Sequence, residues 1–118
     1  METTKIVYNR CYGGFGLSHA ALRRYAELAG YSFEIKKSEI AGEYYEMKDK
    51  SGEDVFESDI RRDDRFLVQV VEELGKEADT RFSALVIAEL PKGTRYYIDE
   101  YDGLETIVTE ADMSWEVA

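Results

Sequence analysis

Arg10, Cys11, Ser18 and His19 fall within the single run RCYGGFGLSH, which gathers more reactive chemistry than any other stretch of the chain. Two kinds of chemistry suit it. The first is anion binding. Gly13, Gly14 and Gly16 supply a turn whose backbone can take positive φ and approach a ligand closely. Ser18 then reads as the N-cap of a helix, with Leu17 and Leu22 placed to form a hydrophobic staple. A strand, a glycine turn and a helix N-terminus aim backbone amides at one point, as phosphate and carboxylate sites do. Around those amides Arg10, Ser18 and Arg23 would bind the charge, and Tyr12 and Phe15 would stack on it or wall it in. Cys11 and His19 would complete the lining. The competing reading is structural, a tight turn that simply needs positive φ.

The second chemistry is nucleophilic. Cys11 and His19 form the one Cys/His pair in the chain. Catalysis by them requires hydrogen-bond reach between thiol and imidazole, and helix amides with Arg10 would favour the thiolate. A free cysteine is more often a small buried hydrophobe, so no catalytic residue is assigned and the pair stands as an alternative. GGFG matches neither GxGxxG nor GxxxxGK[ST], which gives no ground for expecting a nucleotide cofactor of the Rossmann or P-loop kind. One Cys and one His fall short of a structural zinc set. Asp59, Asp63 and Asp64 beside Arg61, Arg62 and Arg65 lack a calcium-loop pattern and read as helix caps and ion pairs.

The elements that must position this run are legible in the apolar pattern. Residues 4–9 read as a strand leading into the glycines. Residues 18–29 read as an amphipathic helix closed by Gly30. A second helix is expected over residues 64–78, capped by Asp63 or Asp64, with Gly75 inside it at a neighbour's close approach. Residues 31–35 and 43–47 read as short strands, separated by a turn at residues 48–52 from a few extended residues at Val55 and Phe56. This middle region is a candidate cover for the glycine loop. The last third predicts a three-stranded meander over residues 83–90, 95–101 and 104–109, with turns at Pro91–Gly93 and Asp102-Gly103. The tail is expected to add a short strand or lay Trp115 over an edge. The sum is a single α+β domain spanning residues 1–118, with a largely antiparallel sheet of four to six strands and two main helices on one face.

Composition bounds the partners. The 118 residues carry a formal charge of −10, divided unevenly: residues 1–37 are net +3 and residues 38–118 net −13. Such an acidic surface repels a phosphate backbone, which argues against direct nucleic-acid binding. It suits solubility, or an acidic decoy that mimics nucleic acid before a basic protein. The single cysteine permits no internal disulfide and favours a reducing, cytoplasmic setting. No run has the length of a secretory or membrane-spanning segment, so no membrane partner is expected. Nine tyrosines against one tryptophan suit half-buried strands or an interface. An open sheet edge would need cover, and pairing in a homo-oligomer is one way to supply it.

YNRCYGGFGLS at residues 8–18, RDDRFLVQVVEELGKEA at residues 62–78 and IAELPKG with YYIDEYDGLETI between residues 87 and 107 carry a further likeness. Together they resemble a family of short, uncharacterised proteins found in tailed bacteriophages, some large viruses and bacteria. That pattern often has Asp-Pro after its charged pair, whereas Asp64 is followed here by Arg65. The resemblance implies a small protein made in the cytoplasm of infected cells and aimed at host machinery. It carries no activity, cofactor or catalytic residue with it. The reading that follows is a small binding protein that holds a host protein or a small anionic, nucleotide-like ligand at the glycine loop. The acidic decoy and the Cys11–His19 enzyme are its alternatives.

Overall fold

Ile6 and Val7 point to opposite faces of the first strand, β1 (Thr3–Asn9), and both are wholly buried, so this strand is covered on both sides. The computed structural model describes residues 2–40 and 42–110. Within them β1 is followed by α1 (His19–Ala29), β2 (Ser32–Ser38), β3 (Gly42–Lys48), α2 (Arg65–Leu74), β4 (Leu85–Pro91), β5 (Tyr96–Tyr101) and β6 (Leu104–Thr109). One-turn 3-10 helices lie at Glu57–Asp59 and Gly75–Ala78. The described residues form an α+β domain of six strands and two α-helices, the class expected from the pattern. The expectations for the tail and Trp115 lie outside the described residues.

The strands pair as three antiparallel hairpins or pairs: β1 with β4, β2 with β3, and β5 with β6. The expected meander is corrected here, because β4 leaves β5 and takes β1 as its partner, in a register running from Thr3↔Pro91 to Asn9↔Leu85. The reason lies in the faces. β4 carries half-buried apolar residues on both sides (Leu85 and Ile87 against Val86, Ala88 and Leu90), which suits it to lie beside β1, the strand buried on both sides. β5 has Asp99 and Glu100 exposed and cannot follow it inward. The ladder even continues past the strands, with the Lys92 amide donating to the Glu2 carbonyl at 3.0 Å.

The helices form as their caps dictate. Ser18 Oγ accepts from the Ala21 amide, and Gly30 closes α1 in the left-handed region. Asp64 caps α2 by accepting from the Phe66 and Leu67 amides. Gly75, expected inside the second helix, instead stops it at φ 56°, with open space where a Cβ would stand. Its purpose is the turn and not close packing. Val7, Leu17, Leu22, Met47, Leu67 and Val70 meet in one core on the helix side of β1. The Tyr25 hydroxyl donates to Asp64 at 2.8 Å and so joins α1 to the cap of α2.

Candidate functional site

The glycine loop hangs from Asn9, the last residue of β1 and wholly buried. Its Oδ1 accepts from the Ala84 amide at 2.8 Å, and its Nδ2 donates to the carbonyls of Cys11 at 2.6 Å and Gly103 at 2.8 Å. Its backbone N–H donates to Glu105. One side chain therefore ties together the ends of two strands and the β5–β6 turn. A buried amide with every group satisfied fixes its surroundings strongly, since any loss strands a partner in a dry place.

Two glycines make the loop possible. A Cβ on Gly13 would lie 2.2 Å from the Phe82 carbonyl oxygen, and one on Gly103 would lie 2.2 Å from the Tyr12 carbonyl oxygen and 2.5 Å from the Gly14 nitrogen. The 9–18 loop thus presses its backbone against two other turns at once. Tyr12, Phe82 and Tyr101 ride on these three turns and are 64%, 63% and 74% exposed.

Three of the amides at the loop's helix end are committed. Leu17 N–H donates to the Glu57 carboxylate at 2.7 Å, Ser18 N–H to the Ala78 carbonyl at 2.9 Å, and Ala21 N–H to Ser18 Oγ at 3.1 Å. Arg10 N–H continues the ladder to Ala84 at 2.8 Å, and Gly14 N–H reaches the Cys11 carbonyl at 3.4 Å. Gly16 accepts from Ser83 Oγ through its carbonyl. The middle region touches the loop through Glu57, so the carboxylate at this helix start belongs to the chain itself. Burial pushes the Glu57 carboxyl above its ordinary range, against the opposing pull of the Leu17 amide and Arg62.

Beside it lies a cleft of about 350 Å³ lined by Phe15, Glu57, Ser58, Ile60 and Arg62. Phe15 does not offer a free stacking face. Its ring packs against the core, and the Arg62 guanidinium covers it at 3.5 Å from the centroid. Arg62 is in turn held by Glu105 through two hydrogen bonds of 2.6 and 2.8 Å and reaches the Val7 carbonyl. An incoming anion would find these guanidinium donors occupied and the Glu57 carboxylate facing it.

The remaining residues singled out from sequence scatter. Arg10 and Tyr12 are exposed at the loop's rim. Arg23 is turned away, its guanidinium 5.4 Å from the Phe33 ring on β2. His19 meets Tyr45 edge to face, with ring centroids 6.2 Å apart. Cys11 is half-buried, and no hydrogen bond joins its thiol to His19 among the described residues. Nor do the described residues hold a group of three or more His, Cys, Asp or Glu poised for a metal ion. No described helix is long and apolar enough to cross a membrane.

Asn9, Glu57, Arg62, Phe82 and Glu105 were not singled out as site residues. Asn9 carries a signal, a polar residue two places after Val7 on an apolar face. Glu57 and Glu105 have none, because their partners lie 40 and 43 residues away. Comparison of the chain with models of known families, with curated proteins and with solved structures finds no match.

Proposed function

We propose that this chain is a protein-binding module whose contact face is the rim of the glycine loop. Tyr12 supplies the centre, Phe82 and Tyr101 the flanks, and Arg10 and Arg81 the charged margin. One observation carries the reading. The loop spends its Leu17 and Ser18 amides internally and faces its own Glu57 carboxylate, while three aromatic side chains around it stay exposed. Tyrosine and phenylalanine on a rigid backbone suit protein interfaces, because they bury much area with few torsions to freeze. This favours a protein over a small anion as the loop's partner. Read with the resemblance to bacteriophage proteins, the partner is a cytoplasmic protein of a bacterial host.

Site-specific photocrosslinking in bacterial cells tests this. With p-benzoylphenylalanine in place of Tyr12 or Phe82, the expected result is one discrete adduct. None is expected with the probe at Ile40, which is 99% exposed on a distant turn. A Tyr12→Ala, Phe82→Ala double variant should lower recovery of that partner at least about tenfold, the loss of roughly 1.4 kcal/mol at a hot spot. A rise in thermal stability with phosphate or a nucleotide, abolished by Arg10→Ala, would establish the small-anion reading and overturn this one.

A further inference from the structure

We infer that the outer edge of β3 is a docking groove for an extended, basic peptide segment that adds to it as a strand. Backbone groups alternate sides along a strand. Met47 accepts the Val55 N–H at 2.8 Å through its carbonyl, so Met47, Tyr45 and Glu43 all turn their N–H and C=O groups away from β2. The chain itself begins a ladder on this edge and then abandons it. Asp49 N–H donates to Glu53, Lys48 bridges Asp54, and Val55 N–H reaches Met47. Phe56 N–H then goes to Asp59 and Glu57 N–H to the Tyr45 hydroxyl, which carries the backbone off the edge. The N–H and C=O of Tyr45 and Glu43 have no partner among the described residues.

Where the ladder stops, a cleft of about 330 Å³ opens between β3 and the departing segment. Tyr44, Met47, Val55 and Phe56 give it apolar walls, with Phe56 57% exposed. Of the two carboxylates that line it, Glu46 is already paired with Lys36 and Lys48, whereas Asp54 has no ion pair among the described residues. The register with β2 is continuous and no proline interrupts Gly42–Lys48, so the edge lacks two of the devices that protect exposed strands. The arrangement is that of strand addition, in which main-chain bonds give affinity and alternate side-chain pockets give selectivity. Asp54 selects for a basic side chain. A second copy of this chain is disfavoured, because its β3 offers Asp54 no free cation: Glu43 and Glu46 are each already paired with a lysine of their own hairpin, and Lys48 with Glu46. This groove is independent of the aromatic rim at the glycine loop.

The test titrates the isotopically labelled full chain with a capped six-residue peptide alternating lysine and valine. Saturable shifts centred on the Tyr45 and Glu43 amides, with slowed exchange of those amides, are expected. Asp54→Lys should weaken this binding about tenfold while leaving the spectrum elsewhere unchanged. A glutamate–valine peptide, or the lysine peptide with a central proline, should not bind. Equal binding of the glutamate peptide, shifts spread over the whole acidic surface, or no saturation would overturn the inference. So would protection of the Tyr45 amide by self-association of the protein without peptide.

Discussion

Gly103 and Gly14 face each other across the contact between two turns, yet they tolerate a methyl group very differently. Both have positive φ, 90° and 95°. A Cβ at Gly14 meets nothing within 4 Å, whereas one at Gly103 collides with the backbone of Tyr12 and Gly14. Gly14→Ala therefore costs only the left-handed penalty, about 1–2 kcal/mol. Gly103→Ala adds displacement of a loop held by Asn9 and should cost about 3 kcal/mol or more. Urea denaturation of the two variants checks this, and equal losses would show that the turns are not pressed together. The glycine run itself was legible as a turn, because glycine spacing is a local signal. The need for Gly103 was legible only as half of a type I′ turn; its second role depends on a neighbour about ninety residues away in the chain.

At the scale of elements, the two helices are joined by polar links at both levels of their contact. Tyr25 donates to the Asp64 cap, and Arg24 grips Glu73 with two hydrogen bonds of 2.8 and 3.3 Å. The Arg24 guanidinium, helped by Gln69, pulls the Glu73 carboxyl down to about 2. A carboxylate with a depressed folded-state pKa stabilises the fold above its ordinary value. That contribution is lost as pH falls through the ordinary value toward 2. Arg24→Ala should thus lower Tm at pH 7, with the difference from the parent shrinking below pH 4 and disappearing only below about pH 2. A difference independent of pH would point to lost packing instead. Both helices and three of their caps could be read from the sequence, since Ser18, Gly30 and Asp64 act within a few residues of themselves; the stop at Gly75 could not. The meander could not. Turn chemistry at Pro91–Gly93 predicts a reversal of the chain, but only the two-sided burial of β1 decides which strand comes back beside it.

For the molecule as a whole, the β5–β6 hairpin places none of its described residues in the hydrophobic core, and a two-stranded hairpin alone is marginal in water. It is attached through Glu105, which is 6% exposed and serves both the Arg62 guanidinium and the Asn9 amide. Glu105→Ala leaves the Arg62 cation and the Asn9 N–H without their acceptor in a half-buried place, a loss of about 3–5 kcal/mol. Hydrogen exchange should show the β5 and β6 amides opening before those of β1 and β4. Simultaneous opening of all four strands would mean the hairpin is held elsewhere. The charge imbalance was readable in the sequence as a number. The partners of individual carboxylates were not, because Glu72, Glu73 and Glu105 pair with Lys5, Arg24 and Arg62, cations far from them in the chain.

The pressed contact between residues 12–14 and Gly103 also has a mechanical side. A hairpin and a loop that meet backbone to backbone, and share the Asn9 amide as a common anchor, transmit displacement as a stiff lever does. A partner that grips Tyr101 therefore also loads the turn that carries Tyr12.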